Sequence, residues 1–357
     1  MAHLIEMATI TKILLEWYFK NGRILPWRVS PKDAETGKTP DPYKIWISEV
    51  MLQQTTVSAV IPYFEKFMKK WDSVEKLSQA KENDILAFWA GLGYYARGRN
   101  LFKCARELNN KFDNKIPNDK KTLLDLPGIG EYTASAIRSI AFGEREVVID
   151  ANIERVVCRL FKIEKPIKKS KKEIRKYASK LFPKFRSGDF AQALMDFANS
   201  VCRPSKPNCD SCPISKSCLS LKLGEVENIP VRPIKRNIPI RKGYVFFTKV
   251  KPNKLLLERR PSEGILGGLL GFPTTKWEVK KNKPNLPFKA NWTFTKRVVK
   301  HQFSHFKLEL EIVIGEKESL EFDNSKYLTV EHKNFDLMSL PTLMRKVYAK
   351  AINHKPT

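Results

Sequence analysis

The chain has 357 residues, 42% of them hydrophobic, enough to bury the cores of two ordinary domains. No run approaches the roughly eighteen apolar residues of a membrane span, and six cysteines are too few for a disulfide scaffold in a chain this long. A net charge of +27 and a pI of about 9.8 point to a polyanion partner, nucleic acid before anionic membrane. The bland alternative is a lysine-rich source proteome.

Ile10, Ile13, Leu14 and Trp17 share one face and predict an amphipathic helix over 8–20. Glu6 and Glu16 interrupt the apolar residues, and no basic start precedes an unbroken apolar core, so no signal peptide is expected. Residues 29–40 are longer than a minimal connector. Helical periodicity then recurs at about 42–56, 57–70, 83–90, 96–111, 119–126, 131–142, 150–160, 172–182 and 188–201.

In the helix from 42, Asp41 is placed to cap and Pro42 sits in the first turn. Ile45, Trp46, Ile47, Val50, Met51 and Leu52 make it apolar almost all round, with Glu49 in the middle. A carboxyl desolvated in that way holds its proton near neutral pH, as a general acid must. A glutamate on a wet stripe beside Lys44 or Gln53 is the plainer alternative.

The stretch L-P-G-I-G-E-Y-T-A-S-A-I, residues 126–137, reads as a helix, a tight glycine turn and a second helix. Pro127 stops the incoming helix, and Gly128 and Gly130 are expected to supply positive φ angles and close backbone approach. Such a turn presents backbone N–H groups to a phosphate. Taken alone, it is equally an ordinary helical hairpin.

Twenty residues beyond Gly130, V-V-I-D-A-N-I-E-R-V places Asp150 at a helix start. There it can cap the N–H of Asn152 or Ile153, and the helix dipole favours its ionised form. Capping alone is the commoner role. Two carboxylates in different environments can divide into an acid and an anion, the division that glycosidic cleavage uses.

Cys202, Cys209, Cys212 and Cys218 follow the spacing C-x6-C-x2-C-x5-C. Four thiolates this close hold one zinc or one [4Fe–4S] cluster, and the run lacks the paired C-x2-C knuckles of a zinc ribbon. Arg203, Lys206 and Lys216 interleave with them, which suits a loop that grips a phosphate backbone. Cys104 and Cys158 fall in helical stretches and read as buried, inert thiols.

Residues 1–222 are thus almost entirely helical. Pro230, Pro233 and Pro239 make residues 223–242 a linker. Residues 243–357 form an α+β domain: strands over 244–250 and 254–259 in a hairpin around Pro252 and Asn253, a strand through Phe306, Leu308, Leu310, Ile312 and Ile314, and a closing helix over 340–352 with Pro341 in its first turn.

Over nearly its whole length the chain resembles the adenine-specific mismatch DNA glycosylases of the MutY family, within the endonuclease III superfamily. The matching stretches are L-P-W-R (25–28), P-Y-K-I-W-I-S-E-V-M-L-Q-Q-T (42–55), G-L-G-Y-Y-A-R (91–97), L-P-G-I-G-E-Y-T-A (126–134), V-I-D-A-N-I-E-R-V (148–156), the cysteine loop and F-S-H (303–305).

The resemblance implies a multidomain α plus α+β protein: an all-helical helix-hairpin-helix region with one [4Fe–4S] cluster on the four cysteines, then a Nudix-like domain. It implies that Glu49 protonates adenine at N7 and that Asp150 stabilises the oxocarbenium ion or forms a transient covalent adduct. Asn152 and Tyr132 would support that anion and the developing charge.

Arg28 would line the adenine pocket, and Gln54 and Tyr94 would wedge into the duplex, although Tyr94 and Tyr95 suit a core equally well. Related bifunctional lyases carry a lysine where this chain has Tyr132, so hydrolysis without strand cleavage is expected. Residues 258–273 and 300–306 resemble a degenerate Nudix domain, and no R-E-x-x-E-E run for magnesium exists in 243–357. Phe303 would anchor a loop in which Ser304 and His305 read 8-oxoguanine. The implied setting is a monomer acting in a bacterial-type cytoplasm on duplex DNA that carries adenine opposite 8-oxoguanine.

Overall fold

The computed structural model describes residues 2–231, 237–261, 263–280, 283–319 and 326–352. Its helices are α1 (Ala2–Asn21), α2 (Pro31–Glu35), α3 (Pro42–Leu52), α4 (Val57–Lys70), α5 (Val74–Ser78), α6 (Glu82–Phe88), α7 (Ala96–Phe112), α8 (Lys120–Asp125), α9 (Glu131–Ala136), α10 (Ala151–Phe161), α11 (Ile167–Leu181), α12 (Ser187–Ser200), α13 (Leu219–Lys222) and α14 (Thr342–Ile352). The strands are β1 (Ile240–Val250), β2 (Lys254–Arg259), β3 (Leu270–Gly271), β4 (Asn291–Gln302), β5 (Lys307–Lys317) and β6 (Tyr327–Glu331). Among the described residues no helix is long and apolar enough to cross a membrane.

The chain divides into two compact units. The first comprises 1–79 and 100–234, and the second comprises 80–99 and 235–357. Residues 80–99 belong with the second unit, a membership that a sequence division at 222 and 243 does not anticipate. Residues 232–236 of the expected linker, Pro233 among them, lie outside the described residues.

Caps fix the starts of the helices that carry the site. The Asp41 carboxylate accepts from the Tyr43 N–H at 2.8 Å, and Pro42 fills a position with no N–H to satisfy. Because α3 is apolar almost all round it is sunk into the core, Ile45, Trp46, Ile47 and Met51 being almost wholly buried while Lys44 is exposed. Each such side chain contributes about 1.5–3 kcal/mol by leaving water. Asp150 caps α10, accepting from the Ile153 N–H at 2.7 Å.

The glycine turn behaves differently at its two glycines. Gly128 has φ +79, and a Cβ there would meet Asn100 Cβ at 2.7 Å, so both conformation and space demand glycine. Gly130 has φ −100 and open space around it, and serves as the extended N-cap of α9. The expected positive φ at Gly130 is therefore not what this residue supplies. Beyond α9 the helix widens into a π-turn over Ile137–Ala141. Gly188 of α12 lets that turn pack closely, since a Cβ there would meet Ser139 O at 2.4 Å.

In the second unit the sheet order is β3-β2-β1-β5-β4, with β6 also paired to β2. β1 and β5 run parallel, Ile240 opposite Lys307 through Val250 opposite Lys317. The inward residues Val245, Phe247, Leu308, Leu310 and Ile312 pack with Leu343, Met344 and Val347 of α14. β4 escapes period-two detection because a bulge between Phe294 and Val298, with Lys296 at φ 55, breaks its alternation.

Candidate active site

Glu49 sits mid-helix in α3, only 6% exposed. The Tyr132 hydroxyl on α9 donates to Glu49 Oε2 at 2.7 Å, across 83 residues of sequence. Burial pushes the Glu49 carboxyl up to about 7. The Tyr132 bond and the Arg28 charge pull it down, while the Asp150 charge adds to the rise. The Tyr132 phenol is itself held well above its ordinary range by burial and by Glu49, so it is a neutral donor.

Asp150 receives N–H groups directly. Besides the Ile153 N–H, Asn152 Nδ2 donates to Asp150 Oδ2 at 2.7 Å. Burial raises the Asp150 carboxyl, and these hydrogen bonds and the Arg155 charge draw it back. The helix start does not by itself keep Asp150 at or below an ordinary carboxylate value, because desolvation is the larger influence. Asn152 is oriented in turn by Arg155, whose Nη2 donates to Asn152 Oδ1 at 3.2 Å and whose Nε donates to the Cys202 carbonyl at 2.9 Å. A polar chain thus runs from Asp150 to the cysteine loop.

Arg28 follows Trp27, which is 4% exposed and edge-on to Phe64 at 5.1 Å. Its side chain is 7% exposed and its Nη1 donates to Asp196 Oδ2 at 2.8 Å. A plain surface arginine is therefore ruled out. Asp196 and its second partner, Arg23, are not among the residues the sequence analysis singles out. A signal for Asp196 was present: like Glu49, it is a lone carboxylate within an apolar helical run, Phe190 to Phe197.

The four cysteines line one cavity with Val156, Arg159, Leu160, Ile214 and Leu221. Arg159 is buried there, donating to Cys202 Sγ at 3.4 Å and to the carbonyls of Ile229, Arg203 and Pro204. Burial pushes the Cys212 thiol up to about 12 and raises Cys209 and Cys218. Thiolates in this shell need a metal's positive charge beside them. Among the described residues no three such side chains converge on a point suited to a single metal ion. Cys104 and Cys158 are fully buried, and burial lifts the Cys158 thiol to about 12.

Gln54 and Tyr94 both occupy the left-handed region, at φ 57 and 47. For a residue with a Cβ that costs about 1–2 kcal/mol, a strain that collects at functional positions. Tyr95 is buried, whereas Tyr94 is 47% exposed. Within the second unit, the Tyr94 hydroxyl lies 2.8 Å from Ser304 Oγ.

The loop bearing Ser304 is a tight turn in which the Phe303 N–H donates to the Phe306 carbonyl at 2.9 Å. Phe303 packs inward against Trp277, with centroids 5.8 Å apart, and Ser304 and His305 are exposed at the tip. The 29–40 stretch holds α2, capped by Ser30.

Residues 47–184 match the model of the HhH-GPD superfamily of base excision DNA repair proteins, and residues 244–350 match the NUDIX domain. The chain is 34% identical to the adenine DNA glycosylase of Buchnera aphidicola subsp. Baizongia pistaciae, over 94% of this chain and 95% of the relative. It is 32% identical to the Homo sapiens adenine DNA glycosylase, over 86% of this chain and 67% of the relative. Among solved structures, a thermostable thymine-DNA glycosylase superposes with a TM-score of 0.55 at 29% identity, covering 62% of this chain and all of that one. A trapped endonuclease III–DNA covalent intermediate shares the fold at 24% identity and a TM-score of 0.51, over 61% of this chain and 98% of that one.

Proposed function

This chain belongs to the adenine DNA glycosylase family, and we propose that it hydrolyses the N-glycosidic bond of adenine mispaired with 8-oxoguanine or guanine in duplex DNA, without cutting the strand. The observation that carries this reading is the contrast between two carboxyls in unlike surroundings: Glu49, buried and held near 7 against Tyr132, and Asp150, half-buried and held by N–H donors.

With adenine turned out of the stack, the protonated Glu49 gives its proton to N7 as the bond from C1′ to the base breaks. The electron pair leaves with adenine, and positive charge develops on the sugar. The Asp150 anion stabilises that charge or adds to C1′ transiently. Water then supplies hydroxide to C1′ and returns a proton to the site, leaving an abasic sugar. Tyr132 orients Glu49, and Asn152 orients Asp150. Gln54 and Tyr94 wedge the duplex open, Arg28 lines the base pocket, and the Gly128–Gly130 turn lies on the phosphate backbone.

Cys202, Cys209, Cys212 and Cys218, gathered around one cavity, would hold one [4Fe–4S] cluster. Such a cluster would fix the 202–218 loop, so that Arg203, Lys206 and Lys216 contact the DNA backbone. In the second unit, Ser304 and His305 stand at an exposed tip anchored by Phe303, suited to reading the edge of 8-oxoguanine.

Two measurements test the reading. Single-turnover excision is expected to be faster on adenine opposite 8-oxoguanine than opposite guanine, and slowest opposite cytosine. Equal rates on all three duplexes would overturn the recognition role. A tyrosine at 132 forms no imine, so the product strand is expected to stay intact until alkali is added. Efficient nicking before alkali would sink the hydrolysis-only assignment.

A further inference from the structure

Asp196 on α12 is 2% exposed and receives four donors. Arg23 donates its backbone N–H at 2.8 Å, its Nε at 2.7 Å and its Nη2 at 2.6 Å, and Arg28 donates Nη1 at 2.8 Å. The carboxylate thus ties the segment between α1 and α2 to α12, 168 residues away. A buried carboxylate so fully satisfied is fixed in place, and it fixes what it holds.

We propose that Asp196 is a positioning residue of the excision site: it holds the Arg28 guanidinium beside the pocket and balances the positive charge that faces Glu49. The inference rests on the reading of Glu49 as the general acid.

The groups that bear on the acid come from three places in the chain. Tyr132 on α9 bonds Glu49, and the charges of Asp150 at the start of α10 and of Arg28 in the segment between α1 and α2 bear on it. Arg28 in turn feels Asp196 of α12, Tyr18 of α1 and Glu49. Tyr18 also feels Asp189 and Arg23. Asp196 therefore reaches Glu49 through Arg28. With its negative charge in place, Asp196 offsets one of the two guanidinium charges it holds, Arg23 and Arg28, and the proton stays on Glu49. Without it, Arg28 becomes an unbalanced cation that favours the Glu49 anion.

The test is the pH profile of single-turnover adenine release by the cluster-loaded, full-length protein. In Asp196→Asn the alkaline limb is expected to move down by about one pH unit, a roughly tenfold loss at pH 8 with a smaller loss at pH 6. In Arg28→Met the limb is expected to move up, because the cation that favours the Glu49 anion is gone. That variant leaves Asp196 satisfied by Arg23 and keeps the inference testable if Asp196→Asn does not fold. In the double variant, Asp196→Asn no longer lowers the limb. A uniform loss at all pH values, with the limb unmoved in both single variants, would mean that Asp196 is purely structural and would overturn the proposal. If the wild-type protein shows no alkaline limb, the general-acid reading of Glu49 fails instead.

Discussion

Glu49→Gln is expected to slow single-turnover adenine release by about 10²–10⁴, the usual contribution of a positioned general acid, or about 3–5 kcal/mol of barrier. Glutamine has nearly the same shape and keeps a carbonyl oxygen for the Tyr132 hydroxyl, so the pocket stays assembled. What it lacks is a proton to give. Binding to a mismatched duplex is therefore expected to persist, measured as an unchanged dissociation constant. The wild-type rate is expected to fall as pH rises through about 7, because burial holds Glu49 protonated below that value and ionised above it. A loss smaller than tenfold in Glu49→Gln would remove Glu49 from the acid role.

Asp150→Asn is expected to lower the same rate by about 10²–10³, the scale of one preorganised electrostatic contact to a developing charge. This substitution separates two roles that one side chain holds together. Asparagine caps a helix about as well as aspartate, so α10 keeps its start and the melting temperature is expected to change little. The negative charge opposite the oxocarbenium ion is gone. The Asp150 charge also helps keep the proton on Glu49, so the alkaline limb of the residual activity is expected to shift to lower pH. A variant that melts many degrees lower would show that capping dominates. Wild-type rates in a well-folded variant would show that no anion is needed.

Part of this site is legible in the residues alone. Glu49 is conspicuous because a carboxylate inside an apolar helix must be neutralised or paired. Asp150 is conspicuous because an aspartate before A-N-I-E-R-V starts a helix. The cysteines are conspicuous because four thiols within one short loop have few other uses. Each inference draws on a single local segment, where side-chain type and spacing act through the helix period.

What the tertiary structure decided is which distant groups face one another. Tyr132 stands on Glu49 rather than on Asp150, and Arg28 is buried on Asp196 rather than exposed. Both pairings are set by the packing of separate helices, which no local periodicity encodes. The same is true of Gly130, where two glycines of one motif divide their tasks according to the neighbours a Cβ would meet. It is true of β4 as well, where a bulge set by its partner strand erases the alternation that marks β5. The chain's own order of residues determined its helices, its cysteine loop and its two carboxylates. Only their packing determined the desolvation that sets Glu49 near 7, because that shift measures how much water the other helices exclude.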